Sequence, residues 1–190
     1  MNDDRRNSRI LDDVIASIRE GRSPIVLTER REHATLLASH LERHAPKLVV
    51  LMGGKGILQR RAAAARLAAL APDEPRVIVA TGKFVGEGFD DARLDTLFLT
   101  MPISWDGLLV QYVGRLHRLH PGKKEVRVFD YVDGSVPVLR RMFDKRLKGY
   151  RSTGYEKGEL PDGFELLAEP EYDEGGWDVD LETPEDRDDE

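Results

Sequence analysis

The sequence predicts an α/β fold built on a mostly parallel sheet. Short apolar runs typical of buried strands alternate along the chain with longer segments whose apolar residues recur at helical spacing. Such alternation is typical of parallel sheets covered by helices. The 190 residues are 40% hydrophobic, which is enough for one buried core, and they include no cysteine. Disulfides, thiolate zinc sites and cysteine nucleophiles are therefore excluded.

The elements follow from this spacing in chain order. The first helix is predicted over residues 3–20 and ends at Gly21, and its apolar face consists of Ile10, Leu11, Val14, Ile15 and Ile18. Strands are predicted at 24–28, 47–52, 76–81, 96–101 and 125–132. Helices are predicted near 30–44, 56–71, 106–118 and 136–148. The last helix carries a basic face formed by Arg140, Arg141, Lys145, Arg146 and Lys148.

The helix predicted at 106–118 presents polar groups on one face. At about 100° of rotation per residue, Gln111, Arg115 and Arg118 fall within about 60° of one another. The opposite face is an apolar stripe that docks on the sheet, formed by Trp105, Leu108, Leu109, Tyr112, Val113 and Leu116. Guanidinium groups match phosphate oxygens bidentately, so this face suits a phosphate. The alternative is that both arginines form ordinary surface ion pairs.

A glycine-rich segment precedes this helix. The strand Arg76-Val77-Ile78-Val79-Ala80-Thr81 runs into Gly82, Gly86 and Gly88 and then Asp90. Together, Ala80-Thr81-Gly82, Glu87-Gly88-Phe89-Asp90 and Gln111-x-x-Gly114-Arg115-x-x-Arg118 resemble motifs V and VI of superfamily 2 (DEAD/DEAH-like) helicases. The segment 24–30 is similar to motif IV. The resemblance covers roughly residues 8–150, and motif VI is its most specific part.

The resemblance implies a second, C-terminal RecA-like lobe, a three-layer sandwich, with two sets of site residues. Thr28, Arg30, Thr81 and Gly82 are expected to hold the nucleic-acid backbone. ATP is expected to contact a second set across a cleft between lobes, with Gly88 and Asp90 binding the nucleotide and Gln111, Arg115 and Arg118 in catalytic roles. For each threonine the alternative is a helix cap or a turn. The sequence departs from many members of this family at two places, with Gln111-Tyr112 instead of Gln-Arg and Asp90-Asp91-Ala92 instead of Asp-x-Pro.

No phosphate-binding P-loop is found in the sequence. Such a loop needs Gly-x-x-x-x-Gly-Lys followed by Ser or Thr, and here no lysine precedes either residue. Gly53-Gly54-Lys55-Gly56 is interpreted as a loop, and Asp73-Glu74, between two prolines, as a solvated turn. We therefore expect half of an ATPase, whose partner is an N-terminal lobe that carries the P-loop and holds most of ATP and Mg²⁺. The chain alone is expected to be inactive.

The charge is divided unevenly along the chain. Residues 1–150 carry a net charge of +7, whereas residues 151–190 carry −13. We expect residues 1–150 to form the folded domain and residues 151–190 an acidic, mostly disordered tail. A basic domain suits a nucleic acid, with DNA preferred over RNA because of the form of motif VI. The tail is expected to compete with nucleic acid for the basic surface, unless it only aids solubility.

Other classes of site and location are predicted to be absent. Residues 1–9 do not resemble a signal peptide, and no apolar run approaches the ~20 residues of a membrane span, so we expect a cytoplasmic protein without a membrane partner. The pairs His40/His44 and His117/His120 lack a third ligand, so no metal site is expected. Two other functions stay open. One is a stand-alone nucleic-acid-binding or regulatory module without ATPase activity, and the other is an unrelated nucleotide- or sugar-binding α/β domain.

Overall fold

The structure is a computed structural model that describes residues 4–45, 47–52, 57–71, 73–82, 91–103 and 107–158. The chain divides into two units, Met1–Glu156 and Lys157–Glu190, and every element below belongs to the first. The acidic segment from residue 159 onward, including Trp177, lies outside the described residues. No helix in the described part is long and apolar enough to cross a membrane.

Five parallel strands form one sheet, which confirms the predicted α/β class. They are β1 (Pro24–Thr28), β2 (Leu48–Leu51), β3 (Val77–Thr81), β4 (Thr96–Leu99) and β5 (Arg127–Asp130). Their spatial order is β2-β3-β1-β4-β5, and all four pairings are parallel. Strands β1, β3 and β4 are buried along their whole length, as expected for the inner strands of a sheet covered on both faces.

In the described part of the chain, five helices cover the two faces. They are α1 (Asp4–Arg19), α2 (Arg31–Leu41), α3 (Ile57–Ala68), α4 (Gly107–Leu116) and α5 (Pro137–Ser152). Side chains alternate between the faces along each strand, so two separate cores form. One core joins Ile25, Leu27, Ile78, Leu97 and Leu99 to α4 and α5, and the other joins Val26, Val79 and Phe98 to α1 and α2. The result is three layers.

The element bounds lie within about four residues of the predicted ones, and α2 and α3 each end three residues earlier than predicted. Helix α1 ends just before Gly21, whose positive φ of 74° suits glycine at a helix terminus. Helix α4 stops at Leu116, two residues before the predicted end, so Arg118 lies beyond it. Helix α5 runs to Ser152, past the predicted domain boundary at residue 150.

A buried ion pair fixes α5 against β5. Arg146 donates from Nε and Nη2 to the two carboxylate oxygens of Asp130, at 2.7 and 2.9 Å, and from Nη1 to the Ile103 carbonyl. The Tyr150 hydroxyl donates to the same carboxylate at 3.2 Å. Burial raises the pKa of the Asp130 carboxyl, and the hydrogen bonds from Arg146 act in the opposite direction. Arg146, predicted on an exposed basic face, is therefore a core residue.

Candidate functional site

The carboxyl ends of the central strands bring two predicted site residues together. Thr28 on β1 and Thr81 on β3 are register partners, so they lie side by side on adjacent strands. Both belong to the face covered by α1 and α2, because they share the alternation of Val26 and Val79. Their exposed fractions are only 2% and 4%. Both threonines are therefore enclosed at the carboxyl ends of their strands, and their hydroxyl groups have little access to a ligand.

The Thr28 hydroxyl belongs to a hydrogen-bonded chain that reaches α1. Its Oγ1 lies 2.8 Å from His33 Nδ1, and His33 Nε2 lies 3.0 Å from the Asn7 side-chain oxygen. With Nε2–H donating to Asn7, Nδ1 accepts from Thr28, which is the pattern of a neutral ring. Burial, and then the nearby charge of Arg6, lower the pKa of His33. Thr28 makes no cap for α2, whose N-cap residue is Arg30.

Arg6 ties α1 to the same end of the sheet. Its Nη2 donates to the carbonyl of Thr100 at 3.1 Å and to the carbonyl of Tyr131 at 3.3 Å, just beyond β4 and β5. The exposed Arg30 follows β1 directly and begins α2. Arg6 and Arg30 therefore supply positive charge near the carboxyl ends of the strands, a location where parallel α/β sheets commonly bind ligands.

Gly82 connects the carboxyl end of β3 to α4, the helix that carries Gln111 and Arg115. The buried Tyr112 hydroxyl of α4 donates to the Gly82 carbonyl. A Cβ on Gly82 would lie 3.0 Å from Met101 Cε and 3.6 Å from Tyr112 Oη, so a side chain at this position would require the end of Met101 to shift by a few tenths of an ångström. Gly82 is therefore closely packed against Met101 and Tyr112.

Helix α4 carries the three polar residues predicted on one face. Leu109, Tyr112, Val113 and Leu116 are buried against the sheet, which confirms the amphipathic pattern within α4. Gln111 is exposed and Arg115 is half-buried. Arg118 is also exposed, but it follows the helix end. The prediction that Gln111, Arg115 and Arg118 share one continuous helix is therefore wrong for Arg118.

Lys123 closes the end of α4. Its Nζ donates to the Leu116 carbonyl at 2.7 Å and to the Arg118 carbonyl at 2.8 Å. Burial lowers the pKa of Lys123, while the charges of Asp95 and Asp91 act in the opposite direction. A cation at a helix C-terminus satisfies carbonyls that have no partner in the helix. The backbone of Arg118 is thus held from outside the helix.

The two predicted sets lie toward opposite ends of the sheet. Helix α4 joins the parallel strands β4 and β5, so it runs back toward their amino ends. In agreement, a Cβ on Gly122 would lie 3.2 Å from Nη1 of Arg93, which precedes β4. Thr28, Arg30, Thr81 and Gly82 gather at the other end. Gly88 and Asp90 fall in 83–90, outside the described residues.

Three residues that form supporting contacts in this region, His33, Lys123 and Tyr112, were not predicted to have such a role. His33 gives no local signal, because its bond to Thr28 depends on how α2 packs on β1. Lys123 follows the helix by seven residues, beyond the last-turn window in which capping cations are sought. Tyr112 had a signal, since it stands where many proteins with the resembling motif have arginine. A buried tyrosine hydroxyl needs a partner, which the sequence alone does not identify.

Two viral proteins are similar to this chain in sequence. Uncharacterized protein 108L of Invertebrate iridescent virus 3 is 36% identical over 85 residues, which are 44% of this chain and 75% of that protein. Putative helicase 161L of Invertebrate iridescent virus 6 is 33% identical over 81 residues, 42% of this chain and 17% of that protein. No family model matches the chain.

Solved structures with similar folds are helicase and ATPase domains. T4 UvsW has a TM-score of 0.59 at 18% identity, covering 77% of this chain and 32% of its own. Domain 2 of the DEAD-box helicase Mss116p, bound to an RNA duplex, has 0.52 at 16%, covering 74% and 56%. Mycobacterium smegmatis helicase Lhr, bound to ssDNA and AMP-PNP, has 0.56 at 18%, covering 80% and 20%. The fold is that of superfamily 2 helicase domains, and the chain spans only part of these proteins.

Proposed function

Because the chain belongs to the family of the iridescent-virus protein 108L and has the fold of superfamily 2 helicase domains, we propose that it is the C-terminal lobe of an ATP-dependent helicase or translocase. The observation that carries this proposal is the pair of arginines at the end of α4. Arg115 is half-buried on a helix whose other face is buried in the core, and Arg118 is exposed two residues beyond the helix end. The similarity to helicase 161L supports the same function.

Arg115 and Arg118 are assigned to the developing charge on a transferred phosphoryl group. An arginine supplied across an interface stabilises the transition state and contributes about 10³–10⁵ in rate in other nucleotide hydrolases. Gln111, one turn before Arg115, is assigned to the same cleft. Gly88 and Asp90 are proposed to contact the nucleotide, in line with the resemblance to motif V. ATP supplies the cleavable phosphoanhydride bond, and the guanidinium fits its phosphate oxygens.

The carboxyl ends of β1 and β3 are assigned to the nucleic-acid backbone. Arg30 is exposed and follows β1, so its side chain is suited to a phosphate. Thr81 and Gly82 are proposed to contact the backbone through main-chain groups. Thr28 is proposed to act indirectly. Its hydroxyl is bonded to His33 in the first turn of α2, and this bond is proposed to hold the start of α2, where Arg30 is the N-cap residue. We propose DNA as the preferred nucleic acid, on the form of motif VI.

The lobe is proposed to need a partner lobe for activity. The sequence contains no P-loop, so Mg²⁺ and the triphosphate are assigned mainly to an N-terminal lobe. Closure of the two lobes would bring Arg115 and Arg118 to the phosphates. Opening after hydrolysis would release them and let the lobes move along the strand.

ATP hydrolysis by the complete helicase, with this lobe joined to or bound by its P-loop lobe, tests the proposal. Arg115→Ala and Arg118→Ala should each lower kcat by about 10³-fold or more while changing nucleotide affinity only a few-fold, since an arginine supplied across the cleft acts mainly in the transition state. Arg141→Ala, on the exposed side of α5, is the matched control. The isolated chain should not hydrolyse ATP. Normal turnover by both variants would refute the proposal, and nucleic-acid binding by a complete protein without ATPase activity would favour a binding module.

A further inference from the structure

We propose that Tyr112 is a positioning residue that transmits contact at Thr81 and Gly82, at the carboxyl end of β3, to Arg115 of α4 and to Arg118 just beyond it. This inference rests on the proposed function and assigns a role to a residue outside both predicted sets. Tyr112 is 4% exposed and faces the sheet, so it is not placed to touch a ligand itself. Its effect has to pass through its neighbours.

The first step is the hydrogen bond between Tyr112 and Gly82. The two residues are 30 positions apart, and the buried hydroxyl of one donates to the carbonyl of the other. A buried carbonyl that loses its donor pays the cost of its lost solvation, so this bond is favoured whenever the core is closed. The hydrogen bond joins Gly82, the residue that follows β3, to the middle of α4.

The second step is the packing around Gly82. The position where a Cβ would stand is 3.0 Å from Met101 Cε and 3.6 Å from Tyr112 Oη. On its other side, Gly82 follows Thr81, which is fixed by its register with Thr28. A close-packed residue of this kind cannot shift without moving its contacts. Displacement of Gly82 by a bound nucleic-acid strand is therefore passed to Tyr112.

The third step is the helix itself. Arg115 follows Tyr112 by three residues, within one turn of α4. The peptide hydrogen bonds of a helix make such a short segment move as a unit. Tyr112, Val113 and Leu116 face the core, so a shift of this buried side changes the position of the exposed side that bears Arg115. A change in the position of Gly82 then affects Arg115, and a change at Arg115 affects Gly82, as reciprocal coupling requires.

The test is Tyr112→Phe in the complete helicase, which removes the hydroxyl and keeps the ring. Turnover is measured with and without single-stranded DNA over a range of concentrations. The ratio of stimulated to unstimulated turnover should fall about five- to tenfold, the effect of losing one buried hydrogen bond. The DNA concentration for half-maximal stimulation should change less than about twofold, since the strand contacts are kept.

Tyr131→Phe is the matched control. The Tyr131 hydroxyl is also largely enclosed and donates to Asp13 at 2.7 Å, but this bond joins the end of β5 to α1, away from α4. Its loss should leave the stimulation ratio unchanged while lowering the melting temperature to a similar degree.

The outcomes separate the inference from the proposed function. A fall in the ratio for Tyr112→Phe alone supports the coupling. An unchanged ratio, or stimulated and unstimulated turnover falling together in proportion to lost stability, overturns the inference and leaves the helicase function standing. A wild-type complete protein that does not respond to nucleic acid at all overturns both.

Discussion

Thr28 and Thr81 lie opposite each other at the carboxyl ends of adjacent parallel strands, and their side chains point to the same buried face of the sheet. The Thr28 hydroxyl is hydrogen-bonded to His33 in the first turn of α2. Two residues expected to grip a nucleic-acid backbone thus have little side-chain surface to offer. The exposed charge beside them is on Arg30, which follows β1. Thr28 and Thr81 are therefore suited to structural support, whereas Arg30 is exposed to solvent.

Arg30→Ala should weaken binding of single-stranded DNA, whereas Thr28→Val should not. Losing one phosphate-binding cation lowers the slope of log affinity against log salt by about one. Thr28→Val removes a buried hydrogen bond and should instead lower the free energy of unfolding by about 1 kcal/mol. Titration of labelled DNA at two salt concentrations, with urea unfolding of both variants, measures the two effects. Weaker binding by Thr28→Val at unchanged stability would mean that the hydroxyl does contact the strand.

Gly82→Ala should destabilise the chain, whereas Gly114→Ala should not. The new methyl group at residue 82 would lie 3.0 Å from Met101 Cε, so the end of this buried side chain must shift, which costs about 1 kcal/mol. At Gly114, exposed on α4, no atom lies within 4 Å of the added carbon. Alanine there should stabilise the helix by about 0.5–1 kcal/mol. Urea unfolding compares the two variants, and equal midpoints would contradict the packing argument.

Removal of Arg146 should cost far more stability than removal of Arg127. Arg146→Ala leaves the buried Asp130 carboxylate without its bidentate partner, a change that typically costs about 3–5 kcal/mol. Arg127 pairs with Glu20 at 2.9 Å, but the side chains are 41% and 50% exposed, so Arg127→Ala should cost less than about 1 kcal/mol. Free energies of unfolding from chemical denaturation provide the comparison. A small loss for Arg146→Ala would show that Asp130 finds another partner.

Stability should decrease as the pH falls through the range in which His33 titrates. Its folded-state pKa lies below the ordinary value of 6.5, so the unfolded chain binds the proton more readily. The contribution of neutral His33 is therefore complete above about pH 6.5 and is lost as the pH falls toward its lowered folded-state pKa. His33→Gln should reduce this part of the slope, and His40→Gln, on the exposed side of α2, is the matched control. Identical pH profiles for wild type and His33→Gln would contradict the assignment.

The sequence predicted those parts of the fold that depend on local spacing. Apolar periodicity located all five strands and five helices to within a few residues, because buried faces impose it directly. The order β2-β3-β1-β4-β5 could not be obtained in this way, since strand neighbours are chosen by packing between distant segments. Arg146 illustrates the same limit. Its helical position placed it among basic residues, and only its distance from Asp130 reveals a core ion pair.

The same limit applies to the candidate site, where residues in motifs could be predicted and the residues that support them could not. Arg115, Gln111 and Arg30 could be identified from motif spacing and are at least partly accessible. The groups that hold them in place, His33 beneath Thr28 and Tyr112 against Gly82, could not. Contact residues recur in patterns because they meet a common chemical group, whereas supporting contacts depend on the packing of each chain.

Lys123 connects the end of α4 to Arg118. It holds the Leu116 carbonyl at the helix end and the Arg118 carbonyl beyond it, and the Arg118 amide donates to the Arg115 carbonyl at 3.2 Å. Lys123 itself belongs to the turn that begins at His120. Sequence drift in that turn can therefore alter the position of Arg118 while every residue of the arginine motif is kept.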